Sequence, residues 1–146
     1  MLRHWFTSGL FAAMLAGCGG PTELDVEEAW VRLPAVAGRP AAAYFTVEGG
    51  AQPTTLHRVT ADYALRAEMH ETTTGGGRMS MRPIRSVPIP PGGKIAFTPG
   101  GLHVMLFDMD GRAKPGGTTM LTLVFDGNRR LYRKAWIVGA NQEAPF

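Results

Sequence analysis

The stretch Gly100 to Phe107, Gly-Gly-Leu-His-Val-Met-Leu-Phe, is the one on which the reading of the fold turns. A glycine pair followed by an apolar run of this length reads as a turn entering a buried β-strand. Side chains alternate along a strand, so His103 and Met105 share one face of it. A histidine and a methionine at i and i+2 are either core filling or half of a metal site, and the two readings stay open on this stretch alone.

Outward from it, short apolar or alternating runs recur at roughly 10-residue spacing, separated by Gly, Pro, Asp and Asn. The candidate strands cover residues 24–33, 42–48, 54–60, 64–72, 78–84, 94–98, 102–109, 119–126 and 131–138. They are rich in Val, Ile, Thr and aromatic residues, and none carries a helical repeat over three turns. The pattern predicts an all-β chain, an antiparallel β-sandwich or Greek-key barrel.

The 146 residues suit one domain with a real core, and 45% hydrophobic with 18% charged residues is near the globular norm. Residues 1–17 differ: Arg3, then an apolar run from Gly9 to Ala16, and no acid. That pattern predicts a secretory signal too short in its apolar part to span a membrane. Leu15-Ala16-Gly17-Cys18 looks like the lipobox of a bacterial lipoprotein, the alternative being an ordinary signal peptide with a Cys near its end. The lipobox implies Cys18 as a lipidation site, residues 18–23 as a tether and a mature protein that is extracytoplasmic, lipid-anchored in the periplasm. The domain is then expected over 24–140, with a short tail at 141–146.

Cys18 is the single cysteine, so disulfide stapling, thiol catalysis and thiolate metal ligands are all excluded from the domain. Loss of the signal removes Arg3 and no acid, lowering the formal charge from +3 to +2. Without Lys/Arg clusters, so small an excess gives no reason to expect nucleic acid as a partner.

Between Met69 and Met109 lie five of the six methionines that follow the signal and two of the three histidines. Singly, each methionine would be core packing. If Gly75 and Gly76 form a two-residue hairpin turn, however, His70 faces Met81 and Thr72 faces Met79, at a Cβ separation of roughly 5 Å. A second strand bearing His103 and Met105 would complete two nitrogen and two sulfur donors. Thioethers are soft, uncharged donors that bind Zn²⁺ poorly and cannot compete with water for Mg²⁺ or Ca²⁺, whereas Cu(I) favours them. One Cu(I) ion is the expected metal.

His70, ten residues, Met81, twenty-one residues, His103, one residue and Met105 resemble the H(M)X10MX21HXM motif of the periplasmic PCu(A)C copper chaperone family. "EEAWVRLPAVAGRPAAAYFTVEGG" (27–50) and "PGGLHVML" (99–106) resemble that family's flanking segments, so the similarity covers essentially the whole mature domain. The resemblance implies a cupredoxin-like β-sandwich, with His70, Met81, His103 and Met105 as ligands to Cu(I). It also implies delivery of copper toward the CuA-bearing subunit of cytochrome c oxidase, directly or with a Sco-type partner, by a protein expected to be a monomer. Where many members carry a further Met two residues after the first His, this chain has Thr72, and Met79 is a possible auxiliary donor on the same face. The His- and Met-rich tail of some relatives has no counterpart in "GANQEAPF" (139–146), so a second copper site is not expected.

Met69 is expected to point into the core, Met109 to be packing and His57 to lie on the surface. Trp30 and Trp136 are expected in the sandwich core or at its rim. Glu68 and Glu71 flank His70, and either could orient its imidazole or simply be a solvated strand charge. No Ser/His/Asp set, paired carboxylates or phosphate-cradling glycine loop is present, so no enzyme is expected. A blue-copper electron carrier is excluded because it needs a thiolate within the domain. The alternatives to a chaperone are copper storage or resistance, or an interaction or structural lipoprotein whose Met and His residues are only packing.

Overall fold

The computed structural model describes residues 22–146; the signal, Cys18 and most of the tether lie outside them. Ten strands follow in order: β1 (Asp25–Arg32), β2 (Ala41–Glu48), β3 (Thr54–Ala61), β4 (Ala64–Gly75) and β5 (Arg78–Pro83), then β6 (Val87–Ile89), β7 (Lys94–Phe97), β8 (Leu102–Met109), β9 (Thr118–Phe125) and β10 (Arg130–Val138). Among the described residues the one helical turn is the 3-10 segment Asp126–Asn128.

The strands form one connected ladder in the order β5-β4-β8-β7-β2-β1-β10-β9-β3-β6, with β8 also pairing β2. This ladder folds over on itself. β3 and β4, near its opposite ends, are joined by the short link Asp62-Tyr63 and pack against one another. Leu56, Val59 and Ala61 of β3 enter the same core cluster as Met69 of β4, Val104 and Leu106 of β8, and Leu121 and Leu123 of β9. The result is the all-β sandwich that the spacing of the apolar runs predicts, cupredoxin-like as the family resemblance implies, with most pairs antiparallel and β1 running parallel to β10.

β6 is the strand the sequence pattern does not mark. Val87 and Ile89 alternate inward around exposed Pro88, and the three residues pair only with β3. A proline is tolerated there because an edge strand need not donate a hydrogen bond on its free side.

β8 shows how the fold serves one face. Val104 and Leu106 are fully buried on the core side, so alternation turns His103 and Met105 to the outer face. β4 does the same: Met69 is buried in the core, as expected, and Glu68, His70 and Thr72 take the other side. Trp30 packs on Tyr44 with ring centroids 4.5 Å apart in a small separate cluster with Val138, while Trp136 is half exposed. His57 is exposed, as expected, and its Nε2 lies 2.6 Å from Oδ1 of Asp126.

Candidate metal centre

Two ladders bring the outer-face residues together. Across β4 and β8, His70 is paired with His103 and Glu68 with Met105. Across β4 and β5, Thr72 is paired with Met81, Thr74 with Met79 and His70 with Pro83. The turn is therefore Gly76-Gly77, at φ of 59° and 75°, and not Gly75-Gly76 as the sequence suggests. Two successive residues at positive φ form the type I′ turn that matches strand twist, which glycine adopts without the steric penalty of a Cβ.

The correction moves the register by two residues. Met81 faces Thr72 instead of His70, and Met79 faces Thr74 instead of Thr72. Because the side-chain period is two, a slip of two keeps every residue on its face. Met81 thus remains on the face of His70 as a diagonal neighbour, while Met79 lies a further ~7 Å toward the hairpin tip at ~3.3 Å per residue.

On this face the two imidazoles are sheltered and the β5 thioethers are open. His103 is 5% exposed, whereas Met81 is 59% and Met79 69% exposed; Met105 is half-buried. The imidazole centroids stand 5.9 Å apart, tilted by 36°.

Their hydrogen bonds settle which nitrogen is available. His103 Nδ1–H donates to the carbonyl of Gly101 at 2.9 Å, which leaves the lone pair on Nε2. His70 Nε2–H donates to Oε2 of Glu68 at 3.1 Å, which leaves the lone pair on Nδ1. Both of these remaining nitrogens, His70 Nδ1 and His103 Nε2, are buried without a hydrogen-bond partner. A buried acceptor without a partner is uncommon and calls for an explanation, and a role as a metal ligand is one.

The hydrogen bond from His70, and then the charge of Arg66, hold the Glu68 carboxyl below the usual carboxylate range. Glu71 does not share this role. It lies opposite Arg82, which donates to its Oε2 at 2.6 and 2.9 Å. Glu68 is the flanking acid on the outer face; the sequence offered both, and strand parity with His70 would have picked it. Arg66 and Phe107, which continue the same face beyond Glu68, are not marked by the motif.

Among the described residues, no group of three or more His, Cys, Asp or Glu side chains is placed to hold a metal ion. A centre on this face must therefore draw on thioethers, and two imidazoles with neighbouring Met81 and Met105 form a donor set suited to a soft monovalent ion and poorly suited to Zn²⁺, Mg²⁺ or Ca²⁺.

Comparison with known proteins points the same way. Residues 24–136 match the family described as "Putative lipoprotein LpqE-like". A curated relative, "Putative lipoprotein Lxx21020" of Leifsonia xyli subsp. xyli, is 31% identical over 107 residues, covering 72% of this chain and 64% of that protein. The chain thus spans somewhat under two thirds of that relative's length. Among solved structures, the Cu(I) form of DR1885 from Deinococcus radiodurans superimposes with a TM-score of 0.63 at 30% identity, over 90% of this chain and 88% of that one. The copper-bound PCuAC domain from PmoF2 superimposes with a TM-score of 0.64 over 82% of this chain and 98% of the domain; at 21% identity that likeness is one of fold.

Proposed function

We propose that this chain, which belongs to the LpqE-like lipoprotein family and carries a PCu(A)C-type domain, is a metallochaperone that binds one Cu(I) ion through His70, Met81, His103 and Met105. The observation that carries the proposal is that two directly paired histidines, their ring centroids 5.9 Å apart, each keep one ring nitrogen buried and without a partner, with Met81 and Met105 at neighbouring positions of the same face. Two neutral imidazoles and two thioethers leave the ion's single charge unneutralised. That disfavours Cu(II) and keeps the ion from redox cycling.

Hand-over follows from the difference in exposure. The imidazoles are held by hydrogen bonds inside the face, whereas Met81 stands on a fully exposed edge strand. A partner's donor meets copper on the Met81 side, and exchange proceeds one weak thioether at a time while the nitrogens still hold. By resemblance the recipient is the CuA-bearing subunit of cytochrome c oxidase, reached directly or through a Sco-type partner. A lipid on Cys18 would hold the domain at a membrane in the periplasm and confine the exchange to that surface. In cells, incorporated palmitate label is expected to disappear in Cys18→Ser; label that survives the substitution removes the anchor from this account.

The deciding experiment is an anaerobic Cu(I) titration of the protein from Gly20 onward against a calibrated chelator, with His103→Ala in parallel. The expected result is one tight equivalent in the wild type, clearly weakened in the variant. Equal, weak binding in both would make the cluster packing and the protein an interaction lipoprotein.

A further inference from the structure

The outer face of β4 and β8 carries three consecutive facing pairs: Arg66 with Phe107, Glu68 with Met105, and His70 with His103. We propose that Glu68 is a positioning residue that holds His70 by its Nε2–H, so that Nδ1 is the nitrogen offered to copper. The proposal deepens the copper reading and rests on His70 being a ligand.

Both carboxylate oxygens of Glu68 are engaged. Oε2 accepts from His70 Nε2 at 3.1 Å, and Oε1 accepts from Nη1 of Arg66. Arg66 is itself held, its guanidinium carbon 3.8 Å from the centroid of the Phe107 ring. A carboxylate bonded on one side only could swing with its own side-chain torsions. Here the stacked guanidinium fixes the far oxygen and directs the near one at the imidazole.

His103 reaches the same end by another device. Its Nδ1–H is bound to the main-chain carbonyl of Gly101, two residues before it, which no side-chain substitution removes. One imidazole is thus positioned by backbone and presents Nε2, and the other is positioned by a replaceable side chain and presents Nδ1. Carboxylates bound to the far nitrogen of a ligand histidine orient the ring and raise its basicity, and their loss typically weakens metal affinity about 10- to 100-fold.

The test uses ¹⁵N-labelled wild-type protein, Glu68→Gln, which keeps a neutral acceptor, and Glu68→Ala, which has none. In copper-free wild type and Glu68→Gln, the His70 Nε2–H proton is expected as a slowly exchanging imidazole signal, and in Glu68→Ala it is lost to solvent. Cu(I) is expected to shift the His70 Nδ1 resonance while the Nε2–H signal persists. Affinity is expected to fall about tenfold in Glu68→Ala and to recover most of that loss in Glu68→Gln.

Three results overturn the proposal: a Cu(I)-induced loss of the Nε2–H signal, an unchanged signal and affinity in Glu68→Ala, or a Glu68→Gln variant as weak as Glu68→Ala, which would make the charge and not the hydrogen bond responsible. A wild type that shows the Nε2–H signal but binds no Cu(I) sinks the copper reading itself, a different outcome from a wild type that binds copper indifferently to Glu68.

Discussion

His70 and His103 stand directly opposite one another on β4 and β8, and each has one ring nitrogen committed to a hydrogen bond and the other buried without a partner. Neither imidazole is fully used by the fold, and the thioethers beside them belong to the outer face as well. Binding and folding should therefore separate under mutation.

Met81→Ala is expected to weaken Cu(I) binding by at least about tenfold, on the order of 1.4 kcal/mol. Met81 is 59% exposed on a strand with no buried residue, so stability should stay within about 0.5 kcal/mol of wild type. Leu106→Ala is the opposite case. Leu106 is fully buried next to Met105, and its truncation should cost about 2–5 kcal/mol of stability. Chelator competition and denaturant unfolding on both variants check the separation; a Met81→Ala protein that unfolds with Leu106→Ala would mean that the thioether is packing.

Thr72 faces Met81 across the hairpin. Thr72→Met would place a third thioether beside the cluster without disturbing the core, and Cu(I) affinity is expected to rise, read by the same competition. A weaker site would mean that the face is already crowded around the ion.

The hairpin tip offers a backbone test. Gly76 has φ of 59° and its added Cβ would meet nothing within 4 Å, so Gly76→Ala introduces conformational strain and no clash. The strain should be about 1 kcal/mol and local to the tip. Faster amide hydrogen exchange in β5 and the outer half of β4, with a nearly unchanged global melting temperature, is the expected result.

Asp110 gives stability an acid limb. Two guanidinium hydrogen bonds from Arg112, and then its backbone N–H, hold the Asp110 carboxyl down at about 2, against an ordinary value of 3.8. A carboxyl whose folded value is depressed favours folding while it is ionised. Its contribution is complete above 3.8, shrinks as pH falls through that value and is gone below about 2. Melting temperatures measured across this window should fall less steeply in Asp110→Asn than in wild type; identical slopes would show that the pair does nothing for the fold.

Much of this was legible because alternation is a strict rule. The runs at 102–109 and 64–72 put Met69 inside and His70, His103 and Met105 together outside, and the structure agrees. The three glycines from Gly75 to Gly77 were the weak point, because any adjacent pair of them can form the turn. The observed register is the one that sets Glu71 opposite Arg82 and Thr73 opposite Ser80, an ion pair and a hydroxyl hydrogen bond of 3.0 Å. With Gly75-Gly76 as the turn, Glu71 would have faced Ser80 and Arg82 would have faced Met69. Cross-strand chemistry chose between two turns that local propensity could not rank. Val87–Ile89 was missed for a different reason: three residues around a proline are too short to show a period. Arg66 and Phe107 were invisible because a guanidinium stacked on a ring has no spacing signature of its own.

The four proposed donors sit on the side of the sheet away from the core, and this bears on what a partner could sense. A site built into a core tells the whole molecule whether it is filled, since occupancy and packing are the same thing there. With copper held as proposed, one set of buried strands would serve the empty and the loaded protein alike, and the difference between them would lie in a patch of two rings, two sulfurs and one added positive charge. On that reading a recipient would tell full from empty by charge and donor chemistry at the point of contact and not by the outline of the molecule.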